Sequence, residues 1–178
     1  MNIFILNTGR CGSTTFIKAC EHLTNYTAAH ESLSGFTGEQ RLAYPDNHIE
    51  ADNRLSWFLG RLDSKYADSA FYVHLSRDLN LTAASFARRM DFGIIKAYKQ
   101  GILLGADQEL SAEEIALDYI QTVDANIRHF LKNKTNKMNF SLDSAKLDFK
   151  LFCKRINAQG DVQKALMEWD VNYNSSQA

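Results

Sequence analysis

The opening of this chain constrains its fold more than any other stretch. Ile3-Phe4-Ile5-Leu6 is an unbroken apolar run with β-branched members, the pattern of a strand buried on both faces. It passes directly into the glycine-bounded turn Gly9-Arg10-Cys11-Gly12. Ser13-Thr14-Thr15-Phe16 follows, where apolar residues begin to recur at helical spacing. A buried strand, a tight glycine turn and a helix in immediate succession belong to an α/β fold, with the turn at the strand's carboxyl end. Such a junction also attracts anions. The N–H groups of the first helical turn have no intrahelical partner, and the helix dipole places positive potential there. Glycine lets the backbone approach a ligand closely. Residues Gly9, Arg10, Cys11, Gly12, Ser13, Thr14 and Thr15 are therefore expected to hold a phosphorylated or sulfated ligand.

The rest of the chain alternates in the same way. Helical spacing continues to Leu23, Asn25–Ala29 reads as a second strand leading to His30-Glu31, and 32–53 reads as a long ordered loop containing Pro45. Arg54–Tyr66 reads as a helix, Ala70–Leu75 as a strand, and Leu79–Met90 and Ile94–Leu104 as helices. Ser111-Ala112-Glu113-Glu114 is a capping box opening a helix to about Leu131. A short strand at Lys137–Leu142 and helices at Ser144–Ile156 and Val162–Trp169 complete the pattern. Strands separated by helices imply a parallel sheet with right-handed crossovers. The expected architecture is a three-layer, P-loop-like α/β fold, one domain over residues 1–178, with a short central parallel sheet flanked by helices.

Charge and cysteine content exclude several classes. A net charge of −1 is not the footprint of a nucleic-acid binder. No run approaches the roughly 18 apolar residues that span a bilayer, and the short first apolar run lacks the basic lead of a signal peptide. Cys11, Cys20 and Cys153 have neither disulfide-framework nor metal spacing, which suits a reduced, cytoplasmic setting.

The loop is not that of an ordinary nucleotide-triphosphate site. Only two residues separate Gly9 from Gly12, the basic residue Arg10 lies inside the loop, and no Gly-Lys-Ser/Thr occurs in the chain. The strand Ala70–Leu75 ends in Ser76-Arg77-Asp78, and Ser85 follows Arg77 by eight residues. A guanidinium at a strand end and a hydroxyl on the next helix can converge on one phosphate. Together, Arg10-Cys11-Gly12-Ser13-Thr14 and the Arg77/Ser85 spacing resemble the two nucleotide motifs of sulfotransferases that use 3′-phosphoadenosine 5′-phosphosulfate (PAPS), here as a small, bacterial-type member. In that family the first motif cradles the 5′-phosphosulfate and the second the 3′-phosphate. Cys11 stands where the family usually has serine, and Leu79 where it often has proline. The family's adenine-contacting basic run near the C-terminus has no counterpart here, Lys154-Arg155 with Gly160 being the nearest stretch.

The resemblance implies transfer of a sulfuryl group from PAPS to a hydroxyl or amine on a small-molecule or glycan acceptor, with no metal and with a homodimer possible. Arg10 would stabilise the leaving phosphate by charge and hydrogen bonds, because guanidinium stays protonated. Glu31 would be the base, with His30 orienting or replacing it. Simpler readings stand beside these. Hydroxyls favour helix starts without any ligand, His30 and Glu31 are ordinary loop residues, and Cys11 is either a thiol activated by the helix N-terminus or only a loop residue. Arg88-Arg89 reads as a solvated helix face, with an extension of the basic face toward the nucleotide as the alternative. His74 reads as a core histidine. His48–Arg54 reads as a helix start capped by Asp52 or Asn53, with an acceptor wall as the alternative. At the level of the whole protein, the rivals are a nucleotide or small-molecule kinase and a non-catalytic binder of PAPS or its 3′,5′-bisphosphate product.

Overall fold

The computed structural model describes residues 1–106, 109–171 and 173. Five strands, β1 (Ile3–Leu6), β2 (Thr27–His30), β3 (His48–Ala51), β4 (Phe71–Ser76) and β5 (Lys137–Ser141), form one sheet in the order β2-β3-β1-β4-β5. Every pairing is parallel, with Ile3 opposite both Ile49 and Phe71, and Thr27 opposite His48. The helices are α1 (Ser13–Cys20), α2 (Leu59–Tyr66), α3 (Leu79–Ala87), α4 (Gly93–Ala97), α5 (Ala112–Leu131), α6 (Ala145–Arg155) and α7 (Val162–Met167). The expected three-layer architecture is present.

Alternation along the strands makes two cores. Ile3, Ile5, Val73 and Phe140 face α1, α6 and α7, where Phe16 meets Phe140 at 4.9 Å and Phe152 at 5.0 Å between ring centroids. Phe4, Leu6 and Tyr72 face the opposite layer, against Leu62, Phe86, Tyr119, Val123 and Ile127 of α2, α3 and α5. Aromatic rings bury 150–250 Å² each and dominate such contacts. Helix α5 begins at the expected capping box, Ser111 and Glu114 each accepting the other's backbone N–H.

Four expectations need correction. The segment 32–53 is not one loop, because it contains a 3₁₀ turn at Gly38–Leu42 and the fully buried strand β3. Its polar residues hid the strand. Buried His48 bonds Thr27 Oγ1 (2.8 Å) and Glu50 (2.9 Å), and Glu50 also accepts from Ser32 N and Oγ (2.8 and 2.6 Å). Buried polar groups are tolerated when paired in this way. Strand β2 lies later than expected, so His30 ends the strand rather than following it. The helix at Arg54–Tyr66 starts as a 3₁₀ turn, Asn53–Trp57, capped by Asp52, whose carboxylate accepts from Arg54 N at 2.8 Å. The helix at Ile94–Leu104 is the short α4 followed by a π-helical turn, Tyr98–Ile102.

Candidate active site

The loop after β1 is shaped by its glycines and held from below. Gly9 and Gly12 both have φ 90°, and Arg10 between them has φ 61°. A Cβ on Gly9 would lie 2.9 Å from Asn53 Nδ2, and one on Gly12 would lie 2.7 Å from Leu142 Cδ1. Asn7 fixes the turn: its side chain donates to Ile5 O (2.8 Å) and accepts from Gly9 N (2.9 Å). Tyr119 O–H reaches Thr8 O at 2.8 Å, and Ser56 Oγ donates to Asn7 O at 3.2 Å. Asn7 was not singled out from sequence, although an Asx residue at a strand end is a known turn former.

Helix α1 has Gly12 as its N-cap and no capping side chain. Ser13, Thr14 and Thr15 therefore lie inside the first turn rather than capping it. Ser13 Oγ instead meets His30 Nε2 at 2.9 Å.

The two sequence motifs meet in space. Arg10 Nε donates to Ser85 Oγ at 3.0 Å, and Arg77 Nη1 donates to Arg10 O at 3.4 Å. Burial, and then the charges of Arg89, Arg77 and Arg88, lower the Arg10 pKa from its ordinary value. Four guanidinium groups thus share one field around the loop, which correct pairing with a polyanion would relieve. Arg89 is not merely part of a solvated helix face, since it lines a cleft beside the loop.

Two clefts open on either side of Arg10, Ser13 and Thr14. One, of about 280 Å³, runs over the α1 N-terminus from Arg77 to Leu142, Trp169, Val171 and Tyr173. The other, of about 200 Å³, holds His30, Glu31, Arg54, Arg89, Phe92 and Ile94 beside Gly9. Glu31 has φ 54°, a conformation costly for a residue with a side chain and concentrated at functional sites. Arg54 grips its carboxylate at 2.7 Å. His30 thus touches the start of α1 through Ser13, and Glu31 lines the same cleft as Gly9 and Arg10.

Beneath them lies a buried polar frame. Glu50 holds Ser32, the neighbour of Glu31. Arg41 and Asp52, almost wholly buried, pair at 2.5 Å, and Asp52 in turn fixes Arg54 N. Burial pushes the Asp52 carboxyl up, while the Arg41 charge opposes that rise.

Cys11 is not an activated thiol. It is fully buried, with Sγ 3.6 Å from Asn7 Oδ1, and burial pushes its pKa up to about 12. His74 is buried as expected, and its Nε2 pairs with Asp124 at 2.7 Å. Lys154 and Arg155 line neither cleft; Arg155 donates to Lys137 O at 2.8 Å. The wall facing the loop comes instead from Trp169, Asp170, Val171 and Tyr173, which sequence reasoning missed because only tertiary packing brings them there.

No protein-family model and no curated protein matches this sequence. Among solved structures, the chain is similar to a sulfotransferase domain from the curacin biosynthetic pathway, with TM-score 0.68 and 14% identity. The likeness covers 96% of this chain and 78% of that one. The fold is therefore sulfotransferase-like. Among the described residues, no helix is long and apolar enough to cross a membrane.

Proposed function

We propose that this protein transfers a sulfuryl group from PAPS to an acceptor by in-line displacement. The observation that carries the reading is the convergence of Arg10, Arg77 and Ser85 on a glycine loop at an uncapped helix start. A donor bearing a 5′-phosphosulfate and a 3′-phosphate supplies separated negative charges, and this cluster offers separated cations and N–H donors for them. The phosphosulfate lies on Gly9–Thr15, the 3′-phosphate at Arg77 and Ser85, and the adenosine along the wall of Trp169 and Tyr173. No metal takes part in the proposed step.

The acceptor approaches from the second cleft. Its oxygen attacks sulfur while the bond from sulfur to the 5′-phosphate oxygen breaks, and Glu31 takes the acceptor proton. Arg10 stabilises the charge gathering on the leaving phosphate. Arg54 orients the Glu31 carboxylate, and His30 with Ser13 closes the other side of the loop.

Calorimetric titration with adenosine 3′,5′-bisphosphate, run beside ATP with Mg²⁺, tests the nucleotide site. Micromolar binding of the bisphosphate without binding of ATP is expected. Binding of ATP alone would replace this reading with a kinase. Binding of neither would leave only a fold-level likeness.

A further inference from the structure

The wall of the first cleft is held in two different ways. Trp169 is fixed by the core, its ring centroid lying 5.3 Å from that of Phe140 and 5.8 Å from that of Phe149, with its plane at 90° to Phe16. Tyr173 lines the same cleft and, among the described residues, has no ring contact of that kind; its phenol donates to Glu168 Oε2 at 2.5 Å. The other carboxylate oxygen, Glu168 Oε1, meets His22 Nε2 at 2.8 Å, just past the end of α1. The chain entering α7 is pinned at the same corner, with Asp161 N donating to His22 O at 3.1 Å and Leu23 bridged to Gly160. Hydrogen bonding with His22 first, and then with Tyr173, lowers the Glu168 pKa, so this residue stands as a carboxylate with both oxygens engaged.

We infer that Glu168 is a positioning residue for the nucleotide: anchored by His22 beyond the far end of α1, it holds the Tyr173 ring where the adenine docks. This rests on the sulfuryl-transfer reading and names a residue that reading does not use. An untethered tyrosine side chain samples several rotamers, and a ligand that stacks on it must order it at a cost in entropy. A charge-assisted hydrogen bond orders the ring in advance, so less of the binding energy is consumed in that ordering. Helix α1 makes the arrangement coherent. Its first turn carries Ser13, Thr14 and Thr15 into the cleft, and the chain just past its other end carries His22. One short, regular element thus sets the spacing between the proposed phosphate cradle and the proposed nucleobase wall. The other tie of this segment, Lys146 to Asp170, joins two exposed side chains and contributes little.

Calorimetric titration separates this role from simple support of the fold. Two ligands are used, adenosine 3′,5′-bisphosphate and its abasic analogue 1-deoxyribose 3,5-bisphosphate, which keeps both phosphates and lacks adenine. Glu168→Ala is expected to bind the adenosine ligand about tenfold more weakly, the scale of one hydrogen bond to a charged group, and to bind the abasic analogue as the unaltered protein does. Tyr173→Phe keeps the ring and removes its tether, and should lose most of the same affinity. It also carries the test should Glu168→Ala disturb folding. The double variant should lose no more than Glu168→Ala alone, because both changes cut the same bond. Equal losses for the two ligands, additive losses in the double variant, or an unaltered affinity for the adenosine ligand in Tyr173→Phe each overturn the inference. Absence of bisphosphate binding in the unaltered protein is a different failure: it removes the sulfuryl-transfer reading, and this inference with it.

Discussion

Arg10 Nε and Ser85 Oγ lie 3.0 Å apart although 75 positions separate them in the chain. The contact joins the loop after β1 to helix α3 after β4, so the two halves of the proposed nucleotide site form one surface. The sheet order makes this possible, because β1 and β4 are adjacent and parallel and both carboxyl ends open on the same side.

That surface sets the consequence of removing Arg77. In Arg77→Ala, affinity for adenosine 3′,5′-bisphosphate should fall about tenfold to a hundredfold, the scale of about 1.5–3 kcal/mol for a hydrogen bond to a charged group. Adenosine 5′-phosphate should bind almost as before. Paired titrations of the two nucleotides measure this, and equal losses for both would remove Arg77 from the 3′-phosphate.

Turnover should separate from binding at Arg10 and Glu31. Arg10→Ala should depress kcat by about a hundredfold or more, as for removal of a group that stabilises developing charge, with a smaller loss of nucleotide affinity. Glu31→Gln should lower kcat by about 10²–10⁴-fold, the usual worth of a positioned base, and leave bisphosphate affinity unchanged. His30→Ala should lose less than Glu31→Gln. Steady-state kinetics beside calorimetry give the comparison, and the reverse order would move the base to His30.

The Arg41–Asp52 pair predicts a stability effect away from the chemistry. Asp52→Asn leaves the Arg41 charge uncompensated in the interior and should destabilise the fold by about 3–5 kcal/mol. The double variant Arg41→Met with Asp52→Leu, which buries no charge, should lose less than that single change. Denaturant unfolding of both variants is the measurement, and a double variant as unstable as Asp52→Asn would contradict the account.

Cys11 should resist alkylation. All three cysteines are buried, and the Cys11 thiol stays protonated to about pH 12, so iodoacetamide at pH 8 should leave the native protein unmodified by mass. The same group has an alkaline signature. An unfolded thiol titrates near 9.0, whereas in the fold Cys11 titrates near 12, so stability should fall as pH rises past 9. Rapid labelling of Cys11 in folded protein would show that the loop opens.

Local patterns carried much of this structure. The strand–loop–helix junction, the Arg77/Ser85 spacing and the Ser111 capping box are short-range features, and each forms close to its expected place. Strand β3 was illegible because half its residues are polar, and only the partners Thr27 and Ser32, brought in from elsewhere, make His48 and Glu50 acceptable inside. Trp169 and Tyr173 escaped for a related reason. Nothing in their local sequence marks a ligand wall, and only the packing of distant elements brings them to the cleft.

Strand β2 ends the sheet, pairing with β3 on one side and leaving its other edge open, and its residues are only partly covered. The glycine loop, by contrast, hangs from β1 at the centre of the sheet. The proposed base thus stands at the end of an edge strand, and the proposed donor cradle at the end of the central one. Such a division lets one half of the site keep a fixed grip while the other yields, so the range of acceptors could widen or narrow at the margin of the molecule with little strain at its centre.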